Sequence, residues 1–153
     1  MSGLEKKLPP LALLLLFALL LQLTSCWLPS SGLPSSLSLS LAFSLLAAGL
    51  IIPLAGVLSF KRHGTTPDPR VPEQSSTLVT SGIYRCSRNP MYLGFVFLLL
   101  AQTFYLNSLW LLILVALFIA YLQRFQILPE ERAMQQLFGD PYRTYCQRVR
   151  RWI

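Results

Sequence analysis

Apolar residues in this chain fall into long blocks separated by short polar stretches, not into the alternations of half-buried elements. Leu8–Leu23 is 16 residues without a charge. Thr24–Leu28 extends it towards the ~20 residues that a helix needs to cross a ~30 Å hydrocarbon layer. Residues 8–28 are therefore expected to form a first spanning helix. Its rival is a secretory signal, because Lys6 and Lys7 precede the apolar core and Leu23-Thr24-Ser25-Cys26 has the make-up of a lipoprotein processing box. The second block, Leu37–Phe60, opens with serine and leucine in alternation, which in a soluble protein would predict a strand. Its 24 uncharged residues instead predict a second span over 37–60. In helical register Ser36, Ser40, Ser44 and Ala48 share one stripe, the small-residue pattern that lets helices approach closely in lipid, and Pro53 predicts a kink. The third block, Met91–Tyr121, divides at Leu106-Asn107-Ser108. Spans over 91–105 and 108–123 would form a short helical hairpin, with Arg88 and Gln123-Arg124 snorkelling to the interface.

Composition sharpens this picture. Hydrophobic residues make up 54% of the 153 and charged residues 12%, about half the usual charged share. So many apolar blocks cannot all be interior to so small a particle, and the mean hydropathy of +0.54 agrees. The expected fold is an all-α integral membrane protein, one membrane domain over 1–153, with four transmembrane helices and C-terminal cytosolic helices over 129–153. All 13 basic residues lie in three segments: Lys6–Lys7, Lys61–Arg88 and Arg124–Arg151. The connections 24–36 and 106–108 carry none. Under the positive-inside rule the three basic segments are cytoplasmic, which requires an even number of spans and places both termini inside. The net charge of +7 is then a topology signal and an attraction to anionic headgroups of the bilayer, so no nucleic-acid partner is invoked. Three cysteines and one histidine, His63 in a loop rich in Gly and Pro, give no metal-ligand spacing, and no metal is expected.

Polar groups gather in two places on the predicted cytoplasmic face. One is the 61–90 loop, whose last part leads straight into the third span through Tyr84, Arg88, Asn89, Pro90, Met91 and Tyr92. Asn89 and Pro90 suit the N-cap and first position of a helix, and such a helix start can hold an anionic group, with Tyr84 and Tyr92 as walls. The other is Pro129-Glu130-Glu131, followed by Phe138-Gly139-Asp140-Pro141-Tyr142, Tyr145 and the arginine-rich end. Two glutamates in a first helical turn are favoured by the helix dipole alone. Both could simply partner arginines; alternatively they face the Tyr84–Tyr92 segment and contact a ligand.

Read together, Leu78-Val-Thr-Ser-Gly-Ile-Tyr84-Arg-x-x-Arg88-Asn-Pro-Met-Tyr92-Leu-Gly94 and Glu130-Glu131-x6-Phe138-Gly-Asp-Pro-Tyr142-x-x-Tyr145-x-x-x-Val149 resemble the isoprenylcysteine carboxyl methyltransferase family, whose core is similar to that of phospholipid N-methyltransferases. The resemblance covers about half the chain. It implies a membrane enzyme that uses S-adenosylmethionine, held in a cytosolic pocket closed by the C-terminal segment, while a lipophilic methyl acceptor enters from the bilayer. Matching positions imply that Leu78, Val79, Tyr84, Asn89, Pro90, Met91, Tyr92 and Glu130 bind the cofactor. Asn89 stands where many members have His, and an amide can still donate a hydrogen bond. Gln126 stands where eukaryotic members have a substrate-contacting Arg; Arg124 is a nearby replacement. Arg124, Gln126 and Glu131 are thus the candidates for the acceptor side.

Methyl transfer from a sulfonium suits a chain poor in titratable groups, since it needs an in-line approach in a dry pocket and no metal. A carboxylate or thiolate acceptor needs no base, which favours it in a chain with one histidine. A phospholipid amine is the alternative, with Glu130 or Glu131 as base. Two further classes are a non-catalytic protein of the same fold and a reductase, because membrane sterol reductases resemble the C-terminal core but bind a nicotinamide.

Overall fold

In the computed structural model, which describes residues 9–62 and 78–153, the described parts of the apolar blocks are mainly helical, with a turn at 106–108 in the third. They form α1 (Pro10–Ser25), α2 (Ser35–Arg62), α3 (Pro90–Tyr105) and α4 (Leu112–Leu122), followed by α5 (Leu128–Phe138) and α6 (Asp140–Arg148). There is no strand among the described residues, so the serine–leucine alternation at the start of α2 yields to length as expected. A helix satisfies all its internal backbone polar groups from within, which an apolar segment facing lipid requires. Two helices are long and apolar enough to cross a membrane, Ser35–Arg62 and the continuous Leu109–Phe138, whereas α1 and α3 are shorter. Lys6, Lys7 and residues 63–77 of the 61–90 loop, His63 among them, lie outside the described residues, while Lys61 and Arg62 end α2.

The tightest packing joins α2 to α3. A Cβ added to Gly94 would sit 2.1 Å from Pro53 Cγ and 3.0 Å from the Gly49 carbonyl oxygen, so α3 has no room for a side chain at Gly94 where it meets α2. Pro53 does not end α2; its ring fills the place opposite Gly94. The stripe that makes this contact is Ser38, Ala42, Gly49, Gly56 and Ser59, all buried. It is not the expected stripe. Ser36, Ser40 and Ser44 face outwards, and the hydroxyls of Ser40 and Ser44 donate to carbonyls four residues back on their own helix, at 2.8 Å each. Self-satisfied serines have no need of a partner helix.

Leu13 and Leu21 of α1, Leu99 of α3 and Phe118 and Leu122 of α4 build the main core. Phe17 and Phe118 meet edge to face at 5.2 Å, and Gln102 Nε2 donates to the Ala18 carbonyl at 3.0 Å. α1 is therefore a member of the bundle. The two connections without charge meet at one end of it. Ser31 N donates to the Asn107 carbonyl at 2.7 Å, Ser31 Oγ to Asn107 Oδ1 at 2.6 Å, and Ser108 Oγ to the Pro29 carbonyl at 2.9 Å. Asn107 takes the left-handed backbone (φ 49°) that asparagine tolerates better than most residues, and α3 turns into the next helix there.

Sequence reading separated residues 108–123 from a helix beginning at Pro129, but the structure has no break. α4 passes into α5 through a π-turn at Gln123–Ile127. Pro129 supplies the physical reason. Its ring would clash with the carbonyl of Phe125, four residues back, and that residue lies inside the π-turn, where the ladder is widened. The real break comes at Gly139, whose φ of +57° only glycine adopts freely, before Asp140-Pro141 starts α6.

Candidate functional site

The two polar concentrations meet at the end of the bundle opposite the Ser31–Asn107 contact. Gly82 (φ +60°) turns the chain into a single 3-10 turn, Gly82–Arg85, and a Cβ there would lie 2.9 Å from Ser59 Oγ. The turn buries Tyr84 edge to face against Phe60 at 5.2 Å, while Tyr145 Oη of α6 donates to the Tyr84 carbonyl at 2.8 Å. Burial pushes the Tyr84 phenol above its ordinary range, and Tyr145 and the Glu130 carboxylate push it the same way. Leu78 packs with Met134, Phe138 and Cys146 around Tyr142, Tyr145 and Val149; Val79 beside it in sequence is buried. The start of the first motif is thereby tied to α5 and α6.

Asn89 and Pro90 take the N-cap and first positions of α3, as expected. The Asn89 side chain does not cap the helix, however. Its Nδ2 donates to the Arg151 carbonyl at 3.0 Å, Arg88 N donates to the Arg150 carbonyl at 3.1 Å, and Asn89 N donates to Ser87 Oγ. The first two bonds pin the C-terminal tail beside the helix start. Pro90 is buried, and Met91, half-buried, faces Gly56 of α2.

One turn into α3, Tyr92 Oη donates a hydrogen bond to Glu130 Oε1 of α5. This contact joins residues 38 positions apart and brings Tyr84, Tyr92 and Glu130 into one place. Glu131, the neighbour in sequence, faces elsewhere. Arg151 grips it through two bonds, Nε to Oε1 at 2.9 Å and Nη2 to Oε2 at 2.7 Å, and Arg88 Nη2 lies 3.1 Å from Oε1. The two glutamates thus divide the two readings: Glu131 partners arginines, and Glu130 faces the Tyr84–Tyr92 segment. The three acceptor-side candidates also separate. Gln126 is buried (3% exposed), whereas Arg124, two residues away in the π-turn, is exposed.

Sequence reasoning missed several members of this cluster. Arg88 was expected to snorkel to the interface; its side chain is instead 13% exposed, with Nη1 2.6 Å from Cys146 Sγ and with a buried Nε that has no hydrogen-bond partner. Arg151 and Cys146 carried no motif of their own. The available signal was charge: arginines on both sides of a cluster whose Glu131 needs an opposite charge when it leaves water.

The fold and the cluster define a membrane-type helical bundle with a polar, carboxylate-containing site at one end. Residues 37–141 match the phospholipid methyltransferase (PEMT) family, and the chain belongs to it. The family match and the long apolar helices support a membrane methyltransferase. A Haemophilus influenzae protein described only as uncharacterized is 48% identical over 65 residues, which is 41% of this chain and the whole of that protein. No solved structure matches the chain.

Proposed function

We propose that this protein is a multi-pass membrane enzyme, with four spans and both termini cytoplasmic, that moves a methyl group from S-adenosylmethionine to a lipophilic acceptor. The observation that carries the reading is the Tyr92-to-Glu130 hydrogen bond, because it unites the two motifs whose pairing the family resemblance requires. When bound, S-adenosylmethionine supplies an electrophilic methyl on a positively charged sulfur. The donor set fits such a molecule. Glu130 and the faces of Tyr84 and Tyr92 offer negative potential to a cation, and Leu78 and Val79 offer apolar wall. The buried, unpartnered Arg88 Nε offers a donor to a carboxylate. Asn89, Pro90 and Met91 contribute by fixing the start of α3 against α2 and the tail.

Gln126, one turn before Glu130 and buried, is the acceptor-side residue in this reading, orienting a polar headgroup with its amide. A carboxylate or thiolate acceptor would need no base. Two observations favour a phospholipid amine as a second reading: the matched family is that of phospholipid methyltransferases, and Glu130 places a carboxylate where an ammonium could leave its proton.

Isothermal titration with S-adenosylhomocysteine tests the cofactor: binding heat is expected from the intact chain, and binding weaker by about ten-fold or more from Glu130→Gln. No heat from a sample that melts normally, or heat with a nicotinamide cofactor instead, overturns the reading. Methyl-labelled cofactor incubated with a membrane lipid extract then separates a carboxylate acceptor from an amine, since a methyl ester is labile to base and a methylated amine is not.

A further inference from the structure

Outside this site, Ala116, Ile119, Ala120, Gln123, Arg124 and Leu128 line an open groove of about 430 Å³ on α4, the π-turn and the start of α5. Ala116 and Ala120, one turn apart, form a shallow floor between the larger Ile119 and Leu128. The groove has a polar end, made by Gln123 and Arg124, and an apolar end that runs along a helix apolar enough to cross a membrane. It faces away from the Tyr92–Glu130 cluster, because the residues interleaved with its lining, Phe118, Leu122, Gln126 and Ile127, are those turned into the core.

Arg124 is exposed and has neither an ion-pair nor a hydrogen-bond partner among the described residues. A cation at the mouth of an apolar trough favours a ligand with a hydrocarbon chain and a net negative headgroup. A small soluble anion would leave the trough empty, and a zwitterionic lipid carries its own ammonium to compete for the phosphate. The volume lies within the range of ligand sites. We propose that this groove seats one anionic phospholipid, with an acyl chain along Ala116 and Ala120 and its phosphate on Arg124 and Gln123. The inference is independent of the proposed methyl transfer.

Native mass spectrometry of the full chain in mild detergent, titrated with dioleoylphosphatidylglycerol or dioleoylphosphatidylcholine, tests it. Wild type should retain the anionic lipid about five-fold better, the effect of one basic side chain near a charged headgroup. Arg124→Gln should abolish that preference and Arg124→Lys should keep it. Ala120→Leu, which fills the floor from an exposed position, should reduce retention of both lipids. Equal retention of the two lipids by wild type, an unchanged preference in Arg124→Gln, or full displacement of the lipid by glycerol phosphate alone would each overturn the proposal.

Discussion

Tyr92 of α3 and Glu130 of α5 share a hydrogen bond, although each belongs to a different motif. A hydrogen bond to a charged group contributes about 1.5–3 kcal/mol, so both partners should be felt in cofactor binding. Glu130→Gln keeps the shape and removes the charge, and should weaken S-adenosylhomocysteine binding about ten-fold or more. Tyr92→Phe should cost less, and the double variant should cost less than the sum, with a coupling of about 1–2 kcal/mol. Strict additivity in the titration would show that the two residues do not act as a unit.

Glu131 is held between two arginines, so its loss is expected to be felt in stability before ligand binding. Glu131→Ala leaves the guanidinium groups of Arg88 and Arg151 without the carboxylate they share. The side chains are 13–28% exposed, so the cost is discounted from that of a fully buried pair to about 2 kcal/mol. The expected result is a lower melting temperature in detergent at every cofactor concentration, with little change in the intrinsic affinity for S-adenosylhomocysteine. A variant that melts normally but fails to bind would place Glu131 in the site.

The α2–α3 crossing admits no methyl group at Gly94. The rigid Pro53 ring blocks it at 2.1 Å, whereas at Gly49 the nearest atoms are those of the Leu98 side chain at 2.9 Å and the Leu98 backbone nitrogen at 3.0 Å, a smaller overlap. Overpacking costs typically about 1–3 kcal/mol, and Gly94→Ala should fall at the upper end or beyond, with Gly49→Ala milder. Thermal melts of the two variants check the order; the reverse order would contradict this packing.

Alkaline pH should destabilise the cluster that holds Tyr84, Tyr142 and Tyr145. Burial, as the largest cause, raises the phenols of Tyr84, Tyr142 and Tyr145 above the ordinary value of 10.0. The folded state therefore holds these protons more tightly than the unfolded chain does. Their contribution is complete below about pH 10 and declines as pH rises above it. Denaturant midpoints taken between about pH 9 and about pH 11 should fall, and Tyr145→Phe should flatten the slope. A midpoint that rises with pH would reverse the sign.

Residue patterns revealed the bundle more completely than its seams. Uninterrupted leucine stretches leave no alternative to helices, and Asn89-Pro90 and Gly139-Asp140-Pro141 mark helix ends through backbone geometry that is local to those residues. The Glu130 contact was legible because two motifs had to coincide. What escaped is non-local. Nothing within Ser36–Ala48 says that Ser40 and Ser44 will satisfy themselves, so that Ala42, Gly49 and Gly56 face α3 instead. Arg88 looked like an interfacial charge because Glu131 and Cys146, which receive it, lie more than 40 residues away. Pro129 reads as a start signal in isolation, and only the preceding π-turn lets the helix run through it.

That uninterrupted run has a mechanical consequence. Leu109–Phe138 is 30 residues of unbroken helix, a rod of roughly 45 Å, with greasy side chains at one end and Glu130 near the other. No loop decouples the two halves. A bilayer of different thickness that tilts the greasy half must swing the carboxylate as well, so membrane composition gains leverage over the distance between Glu130 and its tyrosine.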